Sequence, residues 1–251
     1  MTEFSDDEIE RYARQIIMPE IGGAGQQKLR DAHVAIVGAG GLGSPCAFYL
    51  AGAGVGHISL IDDDAVSVSN LHRQILHGTQ NVGGAKVDSG QCALKALNPN
   101  IHVEAHQTRL QEDNIQQVLG NSSIVIDGSD NSETRYLLAD YCAKKHIILI
   151  TGSLYRFEGN ITVIAPWLGA DSHEGRSPTY RDVFPKSAER DVAPDCSVAG
   201  VLGPAAGVIG SLQAVEAIKI ITGIGVPLIA RMLHFDALSA QFHSFATTMR
   251  S

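Results

Sequence analysis

Arg73, Lys86 and Asp130 are the residues of this chain best suited to chemistry on a polyanion. Arg73 sits in the string SNLHRQIL with Asn70 and Gln74, and Lys86 follows twelve residues after Gln74 in GGAKV. Asp130 and Asn131 close the string DGSDN. A guanidinium matches phosphate oxygens with a planar fork, an ammonium supplies a compact point charge, and a carboxylate can hold Mg²⁺. Hydride transfer needs no such set, whereas triphosphate chemistry does. Any one of these residues alone reads as a solvated surface charge. Placed jointly at strand ends on the ligand side of an open sheet, they read as a site.

A glycine loop precedes them. The string VAIVGAGGLG carries G-x-G-x-x-G at Gly38, Gly40 and Gly43, with Gly41 between, directly after a strand pattern and before a helical one. Glycine is required where backbone must turn tightly and approach phosphate without a Cβ in the way. The helix that follows presents unpaired N–H groups and its positive dipole end to the anion. Asp62 stands nineteen residues after Gly43, where an acid bonds ribose hydroxyls, and Asp64 follows two positions on. The loop and Asp62 by themselves fit NAD or FAD as readily as ATP; the cations and Asp130 turn the reading toward ATP.

The elements that must position these groups follow from hydrophobic pattern. Short apolar runs at 33–37, 57–61, 101–105, 123–126 and 147–151 alternate with helical patterns at 42–53, 86–97, 112–119 and 132–145. Such alternation predicts βαβ units and an α/β fold: a Rossmann-like open twisted sheet, parallel in the nucleotide-binding part, with helices on both faces. After 151 the pattern predicts one longer strand at 154–165 with an irregularity at Gly159, then a long proline- and charge-rich loop at 166–197. An apolar helix over 205–222 and an antiparallel strand pair at 231–235 and 241–245 complete the C-terminal part. Chain length fits a single domain, with a helical segment at 1–30 leading into parts at 31–151 and 152–251.

Composition narrows the partners. The net charge of −8 argues against a general nucleic-acid or membrane-surface binder. Residues 196–215 carry no charge, but Pro204 and several glycines interrupt them, so a buried helix is expected and no membrane span. The four cysteines form no CxxC pair, and a polar, acidic start offers no secretory pattern, which together place the protein in the cytoplasm.

The strings RYARQI, GAGGLG, DDDAVSVSNLHRQ, GGAKV, DGSDN and AGVLGPAAGVIGSLQAVEAIK, in this order, resemble the MoeB/ThiF branch of the ubiquitin-activating-enzyme superfamily, from about Tyr12 to Phe245. The resemblance implies a homodimer binding Mg-ATP, with residues 152–251 serving carrier binding and dimer contacts. It implies adenylation of the C-terminal glycine of a MoaD- or ThiS-like carrier ending in Gly-Gly, with pyrophosphate released, for molybdopterin, thiamin or related cofactor synthesis. By position, Asp62 would bind ribose, Asn70 and Arg73 the phosphates, Lys86 the triphosphate and Asp130 the Mg²⁺. Arg14, in RYARQI, would reach the γ-phosphate bound by the partner subunit. A cysteine desulfurase or rhodanese is the implied sulfur source. Cys196, in PDCSVAG, matches a cysteine that some relatives join to the carrier as an acyl persulfide or disulfide. Other relatives keep a cysteine there and release only the adenylate, and a small buried residue is the alternative reading; a thiol takes no part in attack by an ionised carboxylate on ATP, so Cys196 bears at most on a later sulfur-transfer step.

The chain departs from the family at its zinc site. Relatives carry two CxxC pairs, the first in a string like CYRCLFP, whereas this chain has Thr179 and Asp182 in the cysteine places. Threonine and aspartate build no Cys₄ site, so zinc is expected to be absent; His173 and Asp182 suggest a substitute metal site, but lone residues in a loop are usually just solvated. Two other readings compete with adenylation: a nicotinamide-dependent oxidoreductase, which leaves Arg73, Lys86 and Asp130 without work, and a non-catalytic carrier-binding relative.

Overall fold

A computed structural model of the chain describes residues 4–168, 176–185 and 200–249. Cys196 and His173 lie outside the described residues, as does most of the loop expected at 166–197.

Two helices precede the sheet. Ser5 caps α1 (Asp6–Ile16) in a reciprocal box with Glu8, the Glu8 amide donating to Ser5 Oγ at 3.2 Å and the Ser5 amide to Glu8 Oε2 at 2.9 Å. Tyr12 is the buried residue of α1, and its hydroxyl accepts from Asn98 Nδ2 at 2.8 Å, which ties this helix to the end of α4 (Lys86–Leu97). α2 (Gly22–Asp31) then feeds β1 (His33–Val37).

The expected alternation is present as β1, α3 (Gly43–Ala53), β2 (His57–Ile61), α4, β3 (His102–His106), α5 (Ile115–Leu119), β4 (Ile124–Asp127), α6 (Ser132–Lys145) and β5 (Ile148–Tyr155). These strands pair parallel in the order β3-β2-β1-β4-β5. One face packs a core of Val34, Ile36, Ile58, Leu60 and Ile126 with α3, α4 and the C-terminal helix; the other packs Ala35, Val37, Val125 and Leu149 with α5 and α6. Burial on both faces is why the strands read as continuous apolar runs rather than alternating ones. α5 is shorter than the 112–119 pattern predicts. Asn114 spends its side chain on the loop before it, accepting from the Gln111 amide and donating to the Arg109 carbonyl, both at 2.9 Å.

The single strand expected at 154–165 is a hairpin instead. β5 runs on to Tyr155, and β6 (Glu158–Ile164) returns antiparallel, with Leu154 opposite Gly159 and Tyr155 opposite Glu158. Arg156 supplies the positive φ of 54° that the tight turn requires, a conformation no sequence rule assigns to arginine. The Gly159 irregularity has another cause: a Cβ there would overlap Ile209 of the helix crossing the strand.

After β6 the described residues include α7 (Tyr180–Val183), α8 (Gly203–Thr222), β7 (Arg231–Asp236) and β8 (Gln241–Ala246), the last two antiparallel as expected. Pro204 opens α8 and Gly223, at φ 80°, ends it. By length and composition α8 could cross a membrane, but it packs on α3, β5 and β6, and half of its most apolar stretch is buried there.

Candidate active site

The sheet order reverses between β1 and β4, and a cleft of about 390 Å³ opens at the carboxyl ends of the strands there. This is the switch point at which open α/β sheets take ligands. Gly38, Gly40, Gly41, Asp62, Asp64, Arg73, Gln74, Lys86, Asp130 and Asn131 all line it. Residues from β1 to just before α8, Val37 to Val201, thus meet in one cavity.

The glycines divide into two kinds. Gly38, at φ +96°, lies so close to the β4 loop that a Cβ would stand 2.7 Å from the Gly128 carbonyl oxygen. A Cβ on Gly43 would overlap the Gly38 carbonyl oxygen, so Gly43 is required by packing rather than by ligand; it opens α3 without lining the cleft. Gly40 is different: a Cβ there would meet nothing nearer than Gln74 Nε2 at 3.6 Å. The protein has room for a side chain at 40, so the open backbone there serves what the cleft binds. Gly43→Ala is therefore expected to lose about 3 kcal/mol or more of stability, and Gly40→Ala less than about 1. Gly40→Ala should instead lose protection by ATP in thermal melts. Equal melting losses for both variants would remove this division.

Asp62 anchors the loop. Its Oδ2 accepts from the Ala39 amide at 2.8 Å, and its Oδ1 accepts from the Asp64 amide at 2.9 Å. Burial pushes the Asp62 carboxyl above its ordinary pKa, while Lys86 nearby and these amide donors pull the other way. A carboxylate offers about four lone-pair sites, so about two remain open toward the cleft. Lys86 is only 6% exposed and lies 2.7 Å from Asp64 Oδ2 and 3.7 Å from Asp62 Oδ1, which holds a charged ammonium beside the glycine loop. Below the loop, the His77 ring bridges the Ala39 carbonyl at 2.9 Å and Ser89 Oγ at 3.0 Å. Burial lowers the His77 pKa, so a neutral ring supports the glycine-loop backbone without adding charge.

Asn70 does not line the cleft. Its carbonyl accepts from the Arg73 amide at 3.0 Å and the Gln74 amide at 2.9 Å, so its backbone builds the turn that carries both. Arg73 Nη1 donates to the Ser69 carbonyl at 3.2 Å. Asp130 is exposed at the rim, whereas the Asn131 oxygen is engaged as the cap of α6, accepting from the Thr134 amide at 2.9 Å. Arg14 is exposed on α1 and lies outside its own chain's cleft.

Three contributors escape sequence reasoning. Arg109 and Arg135 also line the cleft, Arg135 held by donating from Nη2 to the Ser129 carbonyl at 2.7 Å. Asp127, fully buried at the end of β4, accepts from the Ser129 hydroxyl at 2.6 Å, the Ser129 amide at 3.1 Å and the Thr151 hydroxyl at 2.7 Å. It fixes the turn that presents Asp130. A strand-end acid was a usable signal for Asp127; Arg135, four positions after the cap Asn131, is marked only by helix periodicity.

The fold and cleft define a nucleotide-binding α/β protein whose site is built for a polyphosphate. The chain belongs to the ThiF family, whose model matches residues 12–251. It is 43% identical over 240 residues to "Sulfur carrier protein adenylyltransferase" of Thermus thermophilus, covering 95% of this chain and 87% of that protein. It is 41% identical to "SAMP-activating enzyme E1" of Haloferax volcanii, covering 94% of this chain and 84% of that one. It is also 46% identical to "Adenylyltransferase and sulfurtransferase MOCS3" of Culex quinquefasciatus, of which it spans 54%, about half the length, with 97% of itself. Among solved structures, E. coli MccB with ATP shares the fold at a TM-score of 0.81 and 22% identity, over 98% of this chain and 73% of that one.

Proposed function

We propose that this protein uses ATP to adenylate the C-terminal glycine carboxylate of a small ubiquitin-like sulfur-carrier protein, releasing pyrophosphate. The observation that carries the reading is the buried Lys86, held by Asp62 and Asp64 beside the open backbone of Gly40. Relatives 40–46% identical, among them adenylyltransferases and an activating enzyme E1, support the same reading.

In this scheme ATP lies with its ribose toward Asp62 and its phosphates along the glycine loop, Arg73 and Lys86. Asp130 would hold the Mg²⁺, whose exposed rim position leaves a carboxylate free to take it. The carrier carboxylate is already ionised at neutral pH, so no general base is needed. The difficulty is bringing two anions together. Opposite unit charges 4 Å apart attract by about 1 kcal/mol in water and ~4 at an effective dielectric near 20. Several placed cations therefore offset the repulsion and orient in-line attack on the α-phosphorus. The protein acts as a cytoplasmic homodimer, with a desulfurase or rhodanese supplying sulfur afterwards. A Cys₄ zinc has no place here. Thr179 and Asp182 cap α7 instead, the Thr179 hydroxyl donating to Asp182 Oδ2 at 2.7 Å.

ATP–pyrophosphate exchange assayed against candidate carriers tests the proposal. Exchange is expected only with Mg²⁺ and a carrier whose Gly-Gly terminus is free. Exchange that ignores the carrier terminus, or thermal protection by NAD and none by ATP, would overturn it.

A further inference from the structure

A cluster of four histidines and a glutamate lies on β1, β2 and β3, and none of the five lines the cleft. His33, His57 and His102 are register neighbours on β1, β2 and β3, and Glu104 and His106 continue the same face of β3. β3 is the last strand on its side of the sheet, so this face is reached from the sheet edge. His57 stacks on His33 with ring centres 3.7 Å apart and planes 3° apart, and His102 meets His57 edge-on at 4.7 Å. His33 is held by Ser59 Oγ, 2.8 Å from its Nε2. The other three rings converge on Glu104. His102 Nε2 lies 3.2 Å from Oε1, His57 Nε2 lies 3.5 Å from Oε2, and His106 Nε2 lies 3.4 Å from the same Oε2.

Two features separate this group from an ordinary surface network. The Nε2 atoms of His57 and His106 are buried and make no hydrogen bond, although buried polar atoms are nearly always satisfied. Donor atoms of His57, His102 and Glu104 also lie within 4.8 Å of one another. A tetrahedral ion with bonds of about 2.1 Å separates its ligands by about 3.4 Å, and the His57 and His102 nitrogens lie 3.5 and 3.2 Å from the two oxygens of Glu104. We propose that His57, His102 and Glu104, with His106 beside them, bind one borderline divalent transition-metal ion of the zinc type at the β2–β3 edge. Mixed imidazole and carboxylate donors suit zinc, cobalt or nickel and not the hard Mg²⁺ of nucleotide chemistry. The bound ion clamps the edge strand β3 to β2. The zinc-free expectation considered cysteine pairs and the loop near Asp182; these ligands come from strands 45 residues apart, 57 to 102, that only the sheet brings together.

Co²⁺ titration of chelator-treated full-length protein tests this, read by visible absorption and by competition with a chromophoric chelator. One equivalent is expected, with the intense visible bands of a low-coordinate site and a rise in melting temperature. His102→Ala and Glu104→Gln should each weaken binding on the order of tenfold or more, since even an outer-shell partner is worth 10–100-fold. Asp63→Asn, in the separate acidic group at the cleft, should leave it unchanged. His102 is exposed and Glu104→Gln preserves shape, so folding is retained, which circular dichroism checks. Binding that survives in the doubly substituted protein, or no stoichiometric binding to the native one, would overturn the assignment. Pyrophosphate exchange needs no ion at this edge, so either outcome leaves the proposed adenylation standing or falling on its own assay.

Discussion

Asp130→Ala should remove pyrophosphate exchange, by about 10²–10³-fold or more, while the protein melts as the native one does. Loss of a single group that stabilises developing charge costs that much in preorganised sites. Asp130 is exposed, and the turn that carries it is fixed by Asp127 through Ser129 and Thr151 rather than by the Asp130 side chain. The variant therefore separates chemistry from folding. Raising Mg²⁺ should recover part of the loss if the carboxylate serves the ion. Full activity in the variant would sink the Mg²⁺ assignment.

Arg14→Ala should lose activity without losing dimerisation, because a guanidinium supplied in trans to phosphoryl transfer is worth ~10³–10⁵ in rate. Arg14 is exposed on α1 and outside its own cleft, the placement required of a residue that serves a neighbour. Mixing Arg14→Ala with Asp130→Ala protein should then restore activity. In a mixed dimer one site combines its own Asp130 with the partner's Arg14, and the other site lacks both. If subunits exchange freely, half the dimers are mixed and one site in each works, so roughly a quarter of native activity returns in a twofold assembly. Demonstrated exchange with no recovery would place Arg14 in cis or outside the reaction.

Much of this was legible before any coordinates because local signals and global fold agree. β1, β2, β4 and the start of β5 are buried on both faces, so they appear as apolar runs, and the helices between them keep their 3.6 periodicity. The cleft residues cluster at strand ends, where the chain must turn and where the glycine loop marks the spot. What stayed hidden had no local signature. The β5–β6 turn depends on Arg156 at positive φ, imposed by the strands on either side. Arg109 and Arg135 carry ordinary surface charges until the cleft places them. Asn131 lines the cleft as its sequence position suggests, but its oxygen also caps α6, which no motif announces. The histidine edge is invisible in sequence because its members are joined only by parallel register, which no short motif records.

One hydrogen bond bears on how the protein is made. Gln213, fully buried in α8, donates from Nε2 to the Asp127 carbonyl at 2.8 Å, the same residue whose carboxylate shapes the turn before Asp130. A ribosome delivers the glycine loop, β4 and Asp130 well before it delivers residue 213. Until α8 emerges, the Asp127 carbonyl lacks its partner, and the apolar face shared by α3, β5 and β6 is bare. The amino-terminal half, though it holds most of the residues that line the cleft, therefore waits on the ribosome as an unfinished and aggregation-prone nascent chain.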